Sequence, residues 1–118
     1  TLGPLGNQAV QAARQLEEEG ISVAHYNMLF LKPLDEDLLR EIASKYKTIV
    51  TLEDGVIKGG FGSAVLEFLS DNQLNVELHR IGLPDEFVAH GTQEELYHIY
   101  GMDAEGIANK VRSLCLKV

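Results

Sequence analysis

Glu53 and Asp54 close a short apolar run, residues 48–52 (TIVTL), and the glycine-rich stretch GGFGSA follows at residues 59–64. Carboxylates beside such a stretch suggest two chemistries. The backbone N–H groups of a glycine-rich helix start can hold a phosphate, helped by the helix dipole. A carboxylate pair can do acid/base work when the two groups face each other across a substrate. Neither pattern is complete. The dinucleotide fingerprint needs G-x-G-x-x-G directly after a strand, and here the third glycine is missing and the spacing is wrong. A Walker loop needs Lys and then Ser or Thr after its last glycine, whereas Gly62 is followed by Ser63 and Ala64. Adjacent strand side chains point to opposite faces, so Glu53 and Asp54 cannot form a facing pair while the strand persists. The preferred reading is structural. Gly59, Gly60 and Gly62 let a helix start close against its neighbours, and the acids cap the turn through its N–H groups.

A second polar stretch, GLPDEFVAHG at residues 82–91, follows another apolar run. His90 is its most catalytic-looking residue, yet no second group converges on it in sequence. Pro84 with Gly82 and Gly91 shapes a turn, and Asp85 can bond forward to backbone N–H groups as Asx turns do. Phe87 and Val88 are apolar enough to anchor the segment on the core. It reads as a corner connector rather than an active site.

Other chemistries find less support. His25, His79, His90 and His98 fall in four different elements, with no C-x-x-C or H-E-x-x-H spacing, so no metal ligands are assigned. Glu95 and His98 are three apart and share a helix face, which reads as a solvated face. Cys115 sits on the side of a helix, and Ser63 has no adjacent base and no G-x-S-x-G elbow around it. No catalytic, cofactor-binding or metal-binding residue is assigned.

Alternating elements position these residues. Ala9, Val10, Ala13 and Leu16 recur at helical spacing, and Gly20 supplies a stop. ISVAHY at residues 21–26, running into MLFL, predicts a strand that Lys32-Pro33 closes. Asp35 is a good N-cap for a helix carrying Leu38, Leu39, Ile42, Ala43 and Tyr46. TIVTL suits a strand covered on both faces. Phe61, Ala64, Val65, Phe68 and Leu69 predict a third helix, and NVELHRIG at residues 75–82 a further strand. Thr92 and Glu95 have capping-box spacing, so a helix begins after Gly91 and ends at Gly101. Asp103 caps a last helix bearing Ile107, Ala108, Val111, Leu114 and Cys115. Alternation of this kind implies an α/β domain with a mostly parallel sheet between helical layers.

Composition sets the outer bounds. The 118 residues suffice for one domain, residues 1–118, around a single core. A net charge of −8, with scattered lysines and arginines, argues against a nucleic-acid partner. One cysteine excludes an internal disulfide, and no apolar run approaches membrane-spanning length. The opening Thr-Leu-Gly-Pro, without an initiator methionine, is expected of a piece excised from a longer protein.

Four blocks in order, FLKPLDEDLL (residues 30–39), VTLEDGVIKGGFGSAVLEFL (50–69), RIGLPDEFVAHGTQEEL (80–96) and YGMDAEGI (100–107), carry a family resemblance. Together they resemble the C-terminal domain of the 1-deoxy-D-xylulose-5-phosphate synthase family. The resemblance spans nearly the whole chain, and the K-P-L-D and G-L-P-D blocks are its most specific parts. It implies a transketolase-type enzyme that uses thiamine diphosphate and Mg²⁺ to join pyruvate to glyceraldehyde 3-phosphate with loss of CO₂, in non-mevalonate isoprenoid synthesis. It also implies a cytoplasmic homodimer and a three-layer α/β/α domain. The sheet would be five-stranded and mixed, with an antiparallel first strand of which only the end, around Thr1 to Gly3, is present.

In that family the cofactor and substrate groups lie in other domains, and their G-D-G motif and metal-binding asparagine are absent from this sequence. The resemblance therefore implies that Pro33, Asp35, Glu53, Asp54, Gly59, Gly60, Gly62, Pro84, Asp85, His90 and Gly91 serve structure and domain packing. Two positions depart from the pattern: Leu29, where arginine is common, and Gly55, where asparagine is usual. Two alternatives stay open. One is the equivalent domain of transketolase or of a 2-oxo acid dehydrogenase decarboxylase subunit. The other, of a different class, is a free-standing α/β module binding an anion at residues 59–62.

Overall fold

The computed structural model describes residues 1–2, 5–28, 34–56, 60–83 and 92–115. Among these residues, seven elements follow in order: α1 (Gly6–Glu18), α2 (Glu36–Lys45), β1 (Thr48–Val56), α3 (Phe61–Asp71), β2 (Glu77–Leu83), α4 (Gln93–Ile99) and α5 (Ala104–Cys115). Strands β1 and β2 pair in parallel, with Thr48 opposite Glu77 and Leu52 opposite Ile81, before an irregularity between Leu52 and Val56. This is the parallel α/β arrangement that the alternating pattern implies.

Local chemistry explains where the elements start and stop. The Asp35 carboxylate accepts from the Leu38 N–H at the head of α2, and the Thr92 hydroxyl accepts from the Glu95 N–H at the head of α4. Gly20 and Gly101, just beyond α1 and α4, adopt φ +84° and +68°, a left-handed conformation that glycine takes without steric cost.

The strand period of two sorts side chains between two helical layers. Leu52 and Ile81 face a core with Leu5, Ala12, Leu16, Met102, Ile107 and Ala108, built mainly by α1 and α5. On the opposite face, Leu78 packs against a core of Met28, Leu39, Phe61, Val65, Phe68 and Leu69. Arg112 clamps the first layer by donating to both Glu19 carboxylate oxygens, at 2.7 and 2.6 Å. In the second, the Arg40 guanidinium lies 5.0 Å from the Phe68 ring centroid and donates to Asn72 Oδ1.

Two details differ from the sequence expectation. Residues 21–28 form no ladder strand; the Ile21 N–H bonds back to the Leu16 carbonyl, and Thr1 donates its ammonium to the Tyr26 carbonyl and accepts at its carbonyl from the Met28 N–H. Leu2 bridges Glu53 in a parallel sense, not the antiparallel one implied for a strand end at Thr1 to Gly3. Thr1 and Leu2 thus lie between residues 26–28 and β1. Leu29 and the chain around Pro33 fall outside the described residues.

α5 crosses the end of α4 at a close backbone contact. A Cβ on Gly106 would stand 2.5 Å from Gly101 Cα and 2.6 Å from its carbonyl carbon. An exposed helical Gly→Ala change ordinarily stabilises by up to about 1 kcal/mol. Here the sign reverses: Gly106→Ala should cost about 1–3 kcal/mol through overpacking against backbone, read as a lower midpoint in urea unfolding with an unchanged m-value.

Candidate functional site

The polar centre of the domain lies where β1 ends and α3 begins. Because β1 buries both faces, its side chains divide by parity. Thr51 and Glu53 project toward α3, while Leu52 enters the α1–α5 core. Glu53 is only 6% exposed, and Asp54 is exposed. Consecutive strand residues are separated in this way, so they form no facing acid/base pair.

Glu53 closes the start of α3. Its Oε2 accepts from the Phe61 N–H at 2.8 Å, and its Oε1 accepts from the Gly62 N–H at 3.1 Å. Gly60, the N-cap, is extended and has no side chain to offer, so the Glu53 carboxylate, eight residues before Phe61, does the capping. Each bond is charge-assisted, and the helix dipole favours the negative charge.

The same contact explains Gly62. A Cβ there would lie 2.7 Å from Thr51 Oγ1 and 2.9 Å from Arg80 Cγ and Cδ. The first turn of α3 therefore rests directly on the sheet. Thr51 Oγ1 is buried there with no hydrogen-bond partner among the described residues, while the Arg80 stem passes over Gly62 and its guanidinium donates to Ser63 Oγ at 2.9 Å. Thr51 and Arg80 carried no sequence signal of this role.

Two other described candidates, Asp35 and His98, act at other helix ends. Asp35 caps α2. His98 does not share a ligand with Glu95; its Nδ1 lies 3.0 Å from Asp103 Oδ2, and Asp103 Oδ1 accepts from the Gly106 N–H. The hydrogen bond to Asp103, and then that carboxylate's charge, raise the His98 pKa above its ordinary value. Burial of Asp103 opposes its charge, but the bonds from His98 and Gly106 prevail and lower its pKa. Among the described residues, no three His, Cys, Asp or Glu side chains are grouped to hold a metal ion. Pro33, Gly59, Pro84, Asp85, His90 and Gly91 lie outside the described residues.

The α3 start does not fit a cofactor diphosphate. The N–H groups that would hold it already bond a carboxylate of the same charge sign. Chemically, the arrangement fastens a helix to a sheet.

A parallel α/β sheet whose strand-end carboxylate caps the following helix defines the structural class, and the comparisons place it. The sequence model of the family "Transketolase, C-terminal domain" matches residues 1–107, and the chain belongs to that family. A solved structure described as "Split gene transketolase, inactive beta4 tetramer" superposes with a TM-score of 0.87 at 36% identity, covering 99% of this chain and 38% of that one.

Two relatives are each named 1-deoxy-D-xylulose-5-phosphate synthase. One, from Phocaeicola vulgatus, is 60% identical over 108 residues, 91% of this chain and 17% of the relative. The other, from Parabacteroides distasonis, is 54% identical over 112 residues, 95% of this chain and 18% of the relative. The chain thus spans less than a fifth of the curated relatives it matches.

Glu53→Gln keeps the size but removes the charge and one acceptor. It should lower stability by about 1–3 kcal/mol, the cost of leaving a buried N–H unpaired, measured by thermal melting beside Glu53→Ala.

The His98–Asp103 contact sets a pH window. A raised histidine pKa stabilises the fold below 6.5, and that contribution is lost as pH rises through the folded value. A lowered carboxylate pKa stabilises above 3.8 and is lost as pH falls. The contact is therefore strongest between these limits. An NMR titration should place the His98 midpoint above 6.5, and Asp103→Asn should return it toward that value.

Proposed function

We propose that this chain is the C-terminal domain of a 1-deoxy-D-xylulose-5-phosphate synthase, a thiamine-diphosphate-dependent transferase of isoprenoid biosynthesis. The observation carrying this reading is the 54–60% identity to proteins of that name along more than nine-tenths of the chain. The whole enzyme would condense pyruvate with glyceraldehyde 3-phosphate and release CO₂. Thiamine diphosphate and Mg²⁺ would be held by its other domains.

Within such an enzyme, this domain packs and supports rather than catalyses. Its polar groups support that role. Glu53 is committed to the head of α3, His98 to Asp103, and Arg112 to Glu19. Asp35 and the glycines at 60 and 62 shape helix starts. Pro33, Asp54, Gly59, Pro84, Asp85, His90 and Gly91 are proposed to share this structural or interdomain role. The proposed partners are the enzyme's other domains and a second subunit in a cytoplasmic homodimer. No described helix is long and apolar enough to cross a membrane.

An anion-binding module is disfavoured, because an incoming phosphate would have to displace the Glu53 carboxylate from Phe61 and Gly62.

The full-length protein containing this chain should form 1-deoxy-D-xylulose 5-phosphate and CO₂ from the two substrates with thiamine diphosphate and Mg²⁺. The 118-residue chain alone should do neither and should give no saturable heat with thiamine diphosphate in calorimetry. Ketol transfer between sugar phosphates without CO₂ release would favour the transketolase reading. CO₂ release by the isolated chain would overturn the supporting role.

A further inference from the structure

Asp54-Gly55 is the one Asp-Gly sequence in the chain, and no Asn-Gly sequence occurs. An aspartyl carboxyl carbon stands one methylene from its own Cα, so the next residue's nitrogen can reach it and close a five-membered ring. Glycine in the next position favours that closure. It has no Cβ to crowd the nitrogen, and its backbone turns freely. A fold suppresses the reaction wherever a paired strand or a capped helix holds the two groups apart.

The other described aspartates are held in this way. Asp35 and Asp103 accept from the Leu38 and Gly106 N–H groups at helix starts. Asp37 and Asp71 belong to α2 and α3. Asp54 differs on two counts. It is exposed, whereas Leu52 and Glu53 just before it are buried. It also lies where the ladder loses its register. From the Leu52–Ile81 pair to the Val56–Leu83 pair the chain advances four positions on β1 but two on β2. Among the described residues, Asp54 and Gly55 thus have no register partner on β2.

We propose that Asp54-Gly55 is a site of spontaneous backbone isomerisation, where aspartate becomes isoaspartate within the folded domain. In the first step the Gly55 nitrogen attacks Asp54 Cγ. A C–N bond forms, and the hydroxyl of the protonated carboxyl leaves as water with the proton from that nitrogen. The product is a cyclic succinimide. Water then adds to one of its two carbonyl carbons. Addition at the Asp54 main-chain carbonyl carbon breaks its bond to the Gly55 nitrogen, and the chain now runs through Cβ and Cγ. Addition at Cγ restores aspartate. One water leaves and one returns, nothing is oxidised or reduced, and mass and formal charge are unchanged.

The position of the link gives it a consequence. Isomerisation lengthens the main chain by one carbon between Glu53 and the helix that Glu53 caps. It also turns the former Asp54 main-chain carbonyl into a branching carboxylate. That carboxylate is the group esterified by isoaspartate-specific protein carboxyl methyltransferases, so the aged domain is a substrate for that class of repair enzyme.

The test follows the tryptic peptide of residues 48–58, delimited by Lys47 and Lys58. The 118-residue chain is aged in neutral buffer, and in parallel unfolded in guanidinium chloride, beside Gly55→Val. Peptides are then separated, weighed and labelled with such a methyltransferase. In the folded chain a second, methyl-accepting form of this peptide, equal in mass, should accumulate at a rate within about 10-fold of the unfolded one. Gly55→Val should slow its appearance by about 10-fold or more in both conditions, because a β-branched neighbour crowds the nitrogen. Absence of the second form from the folded chain, over a time in which the unfolded chain converts, overturns the proposal. So do an unchanged rate in Gly55→Val and methyl acceptance arising from the peptides of Asp71 or Asp103 instead.

Discussion

The bond between Glu53 and the head of α3 sets the geometry of the domain. A buried carboxylate is costly unless its charge is met. Here two N–H groups that a helix leaves unpaired, and the positive end of its dipole, meet it together. Each need satisfies the other, so β1 and α3 are fixed at one distance and angle. The close approach of Gly62 to Thr51 and the path of Arg80 over the first turn follow from that placement. So does the position of Phe61 and Val65 in the second core. Among the described residues, this carboxylate is thus committed to joining a helix to the sheet.

On the other face, stability rests on helix against helix. α1 and α5 lie far apart in sequence but are joined by Arg112 to Glu19, by the Ala104 N–H donating to Gln8 Oε1, and by the apolar core beneath. Glycine at 106 lets α5 approach Gly101 closely enough to bury Met102 completely. The two layers are thus held by different means, one by a buried charge at a strand end and the other by packing and a surface clamp. Between them, Thr1 bonds Tyr26 and Met28 on one side, and Leu2 bonds the Leu52 carbonyl of β1 on the other.

Much of this was legible in the sequence because it is local. Asp35 and Thr92 declare their helix starts, Gly20 and Gly101 their stops, and strand alternation alone places Glu53 and Asp54 on opposite faces. Long-range consequences were not legible. Nothing near Glu53 names Phe61 and Gly62 as its partners, and Arg112 finds Glu19 across 93 positions. Gly106 did carry a signal, since an interior helical glycine loses about 1 kcal/mol relative to alanine and so implies a close contact. ISVAHY has strand propensity but forms no ladder strand, because propensity does not supply a neighbour. Among the described residues, Tyr26 and Met28 bond Thr1, and Ile21 bonds back to Leu16.

The central claim is that Glu53 holds α3 to the sheet, and amide exchange at Phe61 and Gly62 tests it most directly. N–H groups in the first turn of a helix normally lack partners and exchange fast. If the carboxylate holds them, both should exchange as slowly as the interior α3 amides of Val65 and Phe68. Exchange at the rate of an open helix end, with Val65 and Phe68 still protected, would contradict the account.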